Sequence, residues 1–332
     1  MCYIQFTMND QNKQHPRFLD AVSLSQTKKP DQWVLSNLLA TGTEMHLFGE
    51  EGGGKSRVAW QLAHAVATGN SWLSVFEIHQ TGKVMFIECD MDRSEVDLLL
   101  DDVNAADLNH PDIILPEERP DIDILTFDND CSYLVEAYNE IKPVLVVIDT
   151  VNESGVEENT NKETTHYLRR IRRMFPDAAR LILNHEKKKG TSQDGAVLPS
   201  NQQSYLGGAW PRKTRTTMQL VTTKNDQGNP YTARLRITKQ RGRPVINKVE
   251  LTQCQVTGFW KPKMDIPLAL THFPYCIPVS NGRSSECRTM ADVCRAIGET
   301  FDWRPDTVRQ AYDRAIKSGV EYPWAENLHS GI

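Results

Sequence analysis

The sequence predicts an α/β protein: a mostly parallel sheet with helices on both faces, antiparallel strands at its C-terminal edge, and a small C-terminal helical module. Three observations carry that prediction. Residues 144–148 read Val-Leu-Val-Val-Ile without a polar interruption, the pattern of a strand buried on both faces of a helix-covered sheet. From 33 to about 249, short apolar runs alternate with amphipathic stretches, as successive βα units do. Residues 49–56 place a glycine-rich loop between a strand-like run and a helix-like one.

Residues 1–32 read as a polar leader, poor in acid around 23–29 and broken at Pro30. Met45-His46-Leu47-Phe48 is a short apolar strand. Residues 56–68 place Val58, Ala59, Leu62, Ala63, Val66 and Ala67 on one helical face, and Gly69 stops the helix. Strands follow at 84–87, 122–127, 144–148 and 181–183, with helices at 94–104, 133–141 and 162–175. The stretch 186–208 is long, polar and rich in Gly, Asn and Gln, a texture of functional or disordered loops. Three consecutive antiparallel strands are expected at 216–222, 232–238 and 245–251. The domain expected over 33–260 gives way to a proline-punctuated linker over 261–285. A helical module then spans 286–332, with helices at 290–300 and 304–318, Pro305 beginning the second.

Composition narrows the class. Hydrophobic residues at 39% and charged residues at 24% describe an ordinary soluble globular chain, and a net charge of −5 argues against a protein basic all over. No run of 18 apolar residues exists to span a membrane, and the start of the chain does not resemble a signal peptide. The seven cysteines form no C-x-x-C pair, so zinc and a disulfide framework are not expected, and a reduced, cytoplasmic setting is.

The chemistry concentrates at a few positions. Gly49, Glu50, Glu51, Gly52, Gly53, Gly54, Lys55 and Ser56 fit G-x-x-x-x-G-K-[ST], the phosphate-binding P-loop, with Arg57 next to it. The bare glycines let backbone N–H groups curl around a phosphate. Lys55 brings an ammonium to the β- and γ-phosphates, and the Ser56 hydroxyl can ligate Mg²⁺. Asp149 ends the 144–148 strand, where a carboxylate can order the metal's water shell; a turn-capping aspartate is the bland reading. Glu88 ends the 84–87 strand, where it could polarise an attacking water if that strand neighbours the P-loop strand. Asp90 and Asp92 compete for that role. His185, beyond the strand at 181–183, could sense a γ-phosphate, though a lone histidine is often structural. Lys239 and Arg241 close a strand as Lys-Gln-Arg, either a solvated basic face or cations reaching a neighbouring subunit's phosphate.

Together these residues resemble the RecA-like P-loop NTPase core of ring helicases, especially the RepA-type plasmid replicative helicases and, more distantly, the DnaB type. The resemblance covers about residues 33–250. It rests on Glu88 after the strand that follows the P-loop helix, Asp149 closing a hydrophobic strand, His185 within Leu-Asn-His-Glu-Lys-Lys, and the Lys239-Gln240-Arg241 ending. It implies ATP and Mg²⁺ as ligands, a homo-oligomer in the form of a hexameric ring, and single-stranded DNA as partner. It also implies Lys239 and Arg241 acting in trans on a neighbour's ATP. The chain departs from the DnaB pattern in having no DnaB-type N-terminal domain before the core.

Two further features bear on nucleic acid. Lys187, Lys188 and Lys189 open the long polar loop, and a basic loop can follow a phosphate backbone without reading sequence. Arg304, Arg309, Arg314 and Lys317 give the second C-terminal helix a basic, helix-turn-helix-like character, although small helical pairs also dock proteins. Against these, residues 151–163 carry Glu153, Glu157, Glu158 and Glu163 with one lysine, poor chemistry for a DNA-facing loop. The expected function is an ATP-hydrolysing helicase or translocase of a plasmid, phage or mobile element. The alternative is a regulatory ATPase whose nucleotide state switches protein binding through the C-terminal helices.

Overall fold

A computed structural model describes residues 20–26, 32–120, 122–125, 131–155, 161–186, 209–224, 230–241, 248–263, 269–270, 289–301, 304–318, 320, 322 and 325. Residues 1–31 and 32–332 form separate units. In the first, Asp20 accepts hydrogen bonds from the Val22 and Ser23 backbone and starts the short helix α1 (Ala21–Gln26).

The second unit opens with a hairpin, β1 (Trp33–Leu35) and β2 (Leu39–Ala40), and continues into the strand before the P-loop, β3 (Glu44–Gly49). Next come α2 (Lys55–Thr68), β4 (Val84–Glu88), α3 (Arg93–Ala105), β5 (Ile113–Ile114) and α4 (Ser132–Ile141). Then come β6 (Leu145–Asp149), α5 (Asn161–Met174), β7 (Ala179–His185) and α6 (Ala209–Lys213). The chain continues through β8 (Thr216–Lys224), β9 (Pro230–Gln240), β10 (Lys248–Gln253) and β11 (Trp260–Pro262). It ends in α7 (Met290–Phe301) and α8 (Pro305–Lys317).

Nine strands form one sheet in the order β11-β10-β9-β8-β3-β7-β6-β4-β5. From β8 to β5 all neighbours are parallel; β9, β10 and β11 extend the sheet antiparallel. The pleat sorts side chains between two cores. In β6, Leu145 and Val147 join α2 and α3 on one face, while Val146 and Ile148 join α4 and α5 on the other. Each such fully buried side chain contributes roughly 1.5–3 kcal/mol. On the first face Val249, Leu251, Phe259 and Trp260 from the antiparallel extension enter the same core as α2, so this part of the sheet curls over that helix. The C-terminal pair α7 and α8 packs around its own cluster, including Val293, Ile297 and Val308.

Two sequence expectations are corrected. The strand expected at 122–127 is not one over its described residues 122–125: Ile122 and Ile124 are buried in the second core, and the Ile124 N–H is taken by the Ser154 carbonyl rather than by a ladder. The short edge strand β5, paired with β4, comes earlier in the chain. The linker expected from 261 begins later, because Lys261 and Pro262 pair with Thr252 and Leu251 in the sheet. Among the described residues, no helix is long and apolar enough to cross a membrane.

Candidate nucleotide site

The parallel strands end on one edge of the sheet, and their last residues build the site. Gly49 of β3 lies beside His185 of β7, and Glu88 of β4 beside Asp149 of β6. β7 therefore separates the P-loop strand from the strand ending in Asp149. A Cβ on Gly49 would stand 2.5 Å from the Leu220 carbonyl oxygen, so only glycine lets β3 and β8 close at this point. The loop turns through the Gly53 N–H to Glu50 carbonyl bond of 3.1 Å and enters α2 at Gly54, whose φ is 81°. Gly69, also left-handed, closes the helix on the Ala65 carbonyl.

A cavity of about 240 Å³ opens over this edge, lined by Gly52, Gly54, Lys55, Ser56, Asp90, Asp149 and His185. Glu51, Arg57 and Thr150 also reach it. Lys55 is buried and its ammonium donates to the Gly49 and Glu50 carbonyls at 3.3 and 2.9 Å. Burial lowers its pKa, and the carboxylates of Asp149 and Asp90 partly offset that. The His185 ring bridges the centre, with Nδ1 3.4 Å from the Lys55 ammonium and Nε2 3.7 Å from the Asp90 carboxylate. His185 in turn holds the Asp90 carboxyl below its usual pKa.

Asp149 is buried, which raises its pKa to about 6, with Ser56 and Lys55 pulling the other way. Ser56 is near enough to act on its charge, yet neither Asp149 oxygen closes a full hydrogen bond among the described residues. A buried carboxylate with both oxygens open, facing a serine hydroxyl beside a P-loop, fits an Mg²⁺–nucleotide. Ser56 and Asp149 are the residues that would hold the metal and its waters.

Glu88 departs from its expected place. Its strand does not neighbour the P-loop strand, since β6 and β7 stand between them. The side chain is buried, and one carboxyl oxygen accepts the Asp90 and Met91 N–H groups at 2.8 and 3.0 Å. Burial, then the nearby Asp149, raises its pKa to about 9 and so favours the neutral carboxyl. It does not line the cavity, whereas Asp90 does. Asp92 is committed elsewhere: it caps α3 and forms a capping box with Glu95. The acidic segment thus divides into a buried acid, a carboxylate at the cavity and a helix cap.

Lys239 and Arg241 lie at the opposite edge. β9 runs antiparallel, pairing Lys239 with Thr217 and Gln240 with Thr216 at the start of β8. The length of β3, about 17 Å of strand, separates that end from the P-loop. The Lys239 ammonium donates to the Thr214 carbonyl, and burial lowers its pKa to about 8. Arg241 lines a second cavity of about 670 Å³ with Arg172, Arg212, Lys213 and Arg215. Lys187, Lys188 and Lys189 lie outside the described residues. Sequence reading had no signal for Trp260, which packs on Gly54 from the far end of the sheet.

A family model described as AAA domain matches residues 11–191, more than half of the chain. No curated protein matches it.

Proposed function

We propose, from the premise that this chain belongs to the AAA-domain family of P-loop ATPases, that it hydrolyses ATP between the subunits of a ring and couples hydrolysis to movement along single-stranded DNA. The observation that carries the reading is the division of charged groups between the two sheet edges. The P-loop edge holds Lys55, Ser56, Asp90, Asp149 and His185, while Arg241 stands at the other edge inside a basic cavity. Among the described residues, the arginine that lines the P-loop cavity, Arg57, is tied to Asp102. Among the described residues the site therefore has no free guanidinium for a γ-phosphate, and Arg241 cannot supply one to its own subunit. A neighbouring copy's Arg241, with Lys239 beside it, meets the need.

The roles follow from position. The loop N–H groups and Lys55 bind the β- and γ-phosphates, and Ser56 and Asp149 are the residues that would hold Mg²⁺, which would supply neutralisation of charge on the phosphates. Asp90, ionised and open to the cavity, orients and deprotonates the attacking water, and His185 links it to Lys55 so that the two respond together to a γ-phosphate. The second reading is a regulatory ATPase acting through the C-terminal helices. It is favoured by the partial neutralisation of α8, where Arg309 pairs with Asp313 and Arg314 turns back to the Gln310 carbonyl.

One experiment separates these readings: ATP hydrolysis with and without single-stranded DNA, beside native mass measurement with a non-hydrolysable analogue. Stimulation by DNA and a hexamer are expected. Hydrolysis indifferent to DNA, by a protein that forms no ring, would overturn the translocase reading in favour of the regulatory one.

A further inference from the structure

The P-loop is held from outside the segment that matches the AAA-domain family, by the last strand of the sheet. β10 and β11 are joined by a tight turn in which the Cys254 N–H donates to the Phe259 carbonyl and the Gly258 N–H to the Cys254 carbonyl, both at 2.8 Å. Arg57, one turn into α2, lies against Gly258 so closely that a Cβ there would stand 2.6 Å from its Nε. Trp260 follows, 1% exposed. Its backbone is gripped from both sides by one side chain of α2: Gln61 donates to the Trp260 carbonyl at 2.7 Å and accepts from the Trp260 N–H at 3.2 Å. Its indole N–H donates to the Gly54 carbonyl at 3.3 Å, and its ring fills the space where a Cβ on Gly54 would stand.

That contact acts on the peptide between Gly54 and Lys55. In a planar trans peptide the carbonyl and the next N–H point in opposite directions. The Gly54 carbonyl is drawn into the structure by the Trp260 indole and by the Val58 N–H at 3.2 Å. The Lys55 N–H is consequently turned outward, toward the space at the N-terminus of α2 where an anion binds. A glycine at positive φ has little intrinsic preference for that orientation; the first bond of α2, from the Val58 N–H, and the Trp260 indole set it together.

We propose that Trp260 is a positioning residue for nucleotide binding, and that the β10–β11 strap fixes the Gly54–Lys55 peptide in its phosphate-receiving orientation. This rests on the nucleotide reading above. Trp260 touches no reacting atom; it acts through Gly54. Two consequences are specific to such a hold. Losing the indole N–H weakens phosphate binding more than turnover, and the indole reports occupancy of the loop by its emission.

The test compares wild-type chain, Trp260→Phe and Gln61→Leu by calorimetric titration with Mg-ATP and Mg-ADP, steady-state hydrolysis, and tryptophan emission. Phe keeps a ring in the core without the donor; Leu on α2 frees the strap without touching the indole. The expected result is a rise in nucleotide Kd and KM of about fivefold in each variant, the scale of one net hydrogen bond. The value of kcat should stay within twofold. Emission should change on nucleotide addition in wild type and lose most of that change in Trp260→Phe. If Trp260→Phe does not fold, Gln61→Leu alone decides. No nucleotide binding by the wild-type chain would overturn the nucleotide reading itself. Wild-type binding that both variants share at unchanged affinity, or the folded one alone shares, would overturn the strap and leave that reading standing.

Discussion

The two acids after β4 offer a direct contest, Asp90→Asn against Glu88→Gln. One oxygen of Glu88 takes two backbone N–H bonds, and burial pushes its pKa up to about 9, toward the neutral carboxyl. The amide oxygen of glutamine can take both bonds and stands in for that neutral form. Glu88→Gln should therefore change kcat by no more than about threefold, or ~0.7 kcal/mol. Asp90 carries a charge beside His185 and faces the cavity. Asparagine there keeps the volume but cannot accept a proton from water, so kcat should fall by about 10²–10⁴, the usual worth of a general base. The Kd for Mg-ADP should stay within a few-fold in both, since neither acid belongs to the loop that wraps the phosphates. Phosphate release at saturating Mg-ATP, beside an ADP titration, measures all of this. A Glu88→Gln enzyme slowed more than a hundredfold, beside an Asp90→Asn enzyme near wild-type rate, would refute the assignment and restore Glu88 to the role its strand-end position first gave it.

Further outcomes follow from the same geometry. Lys55→Ala should abolish turnover and weaken Mg-ATP binding by at least tenfold in a direct titration, because its ammonium is the buried cation of the cavity. Arg241→Ala should bind nucleotide like wild type and hydrolyse it at least a hundredfold more slowly, and mixing it with Lys55→Ala should restore part of the rate if each supplies what the other lacks. Glu44→Gln should cost about 3–5 kcal/mol in denaturant unfolding, since Arg180, 1% exposed, would lose its carboxylate partner. His46 is buried between Phe48 and Trp210, and burial lowers its pKa to about 3 from 6.5. The unfolded chain then binds a proton that the folded one refuses between those values, so stability falls as pH drops below about 6.5, by up to ~1.4 kcal/mol per unit, and is insensitive above it. From pH 7.5 to 4.5, unfolding stability should shift in favour of His46→Phe relative to wild type by about 2–3 kcal/mol; a pH-independent difference would show that His46 takes up its proton in the folded chain as readily as in the unfolded one.

Local pattern made the central strands readable, because β4 and β6 are buried along their length and nothing polar interrupts them before their last residue. Leu145 to Ile148 and Val84 to Ile87 declare themselves by composition, and the helices between them by period and stop signals. The region around Ile122 and Ile124 has the same apolar look, but its N–H groups go to a loop carbonyl rather than to a neighbouring strand. Apolar content identified burial there and could not identify pairing, which depends on residues far away in sequence. Trp33 to Ala40 failed in the opposite sense, as a hairpin too short to show any period.

The sequence named residues that the fold brings to one cavity where position alone places them: Asp149 and His185 at strand ends, Lys55 and Ser56 at the start of α2. The site was not readable where the direction of a side chain decides. Glu88, Asp90 and Asp92 are spaced by two residues, so a strand continued through all three would point them the same way. The strand ends at Glu88, and the chain turns as its carboxyl takes the next N–H groups; Asp90 swings to the cavity and Asp92 becomes a cap. Glu88 therefore works on the turn, and burial beside Asp149 pushes it toward the neutral form, which does not oppose that carboxylate's charge. Trp260 shows the complementary gap. Its contact with Gly54 spans more than two hundred residues and depends on three strands curling back over α2, a property of the whole sheet that no local window contains. The phosphate loop is thus specified twice: by the glycines that permit its shape and by a distant strap that selects one orientation from those the glycines allow.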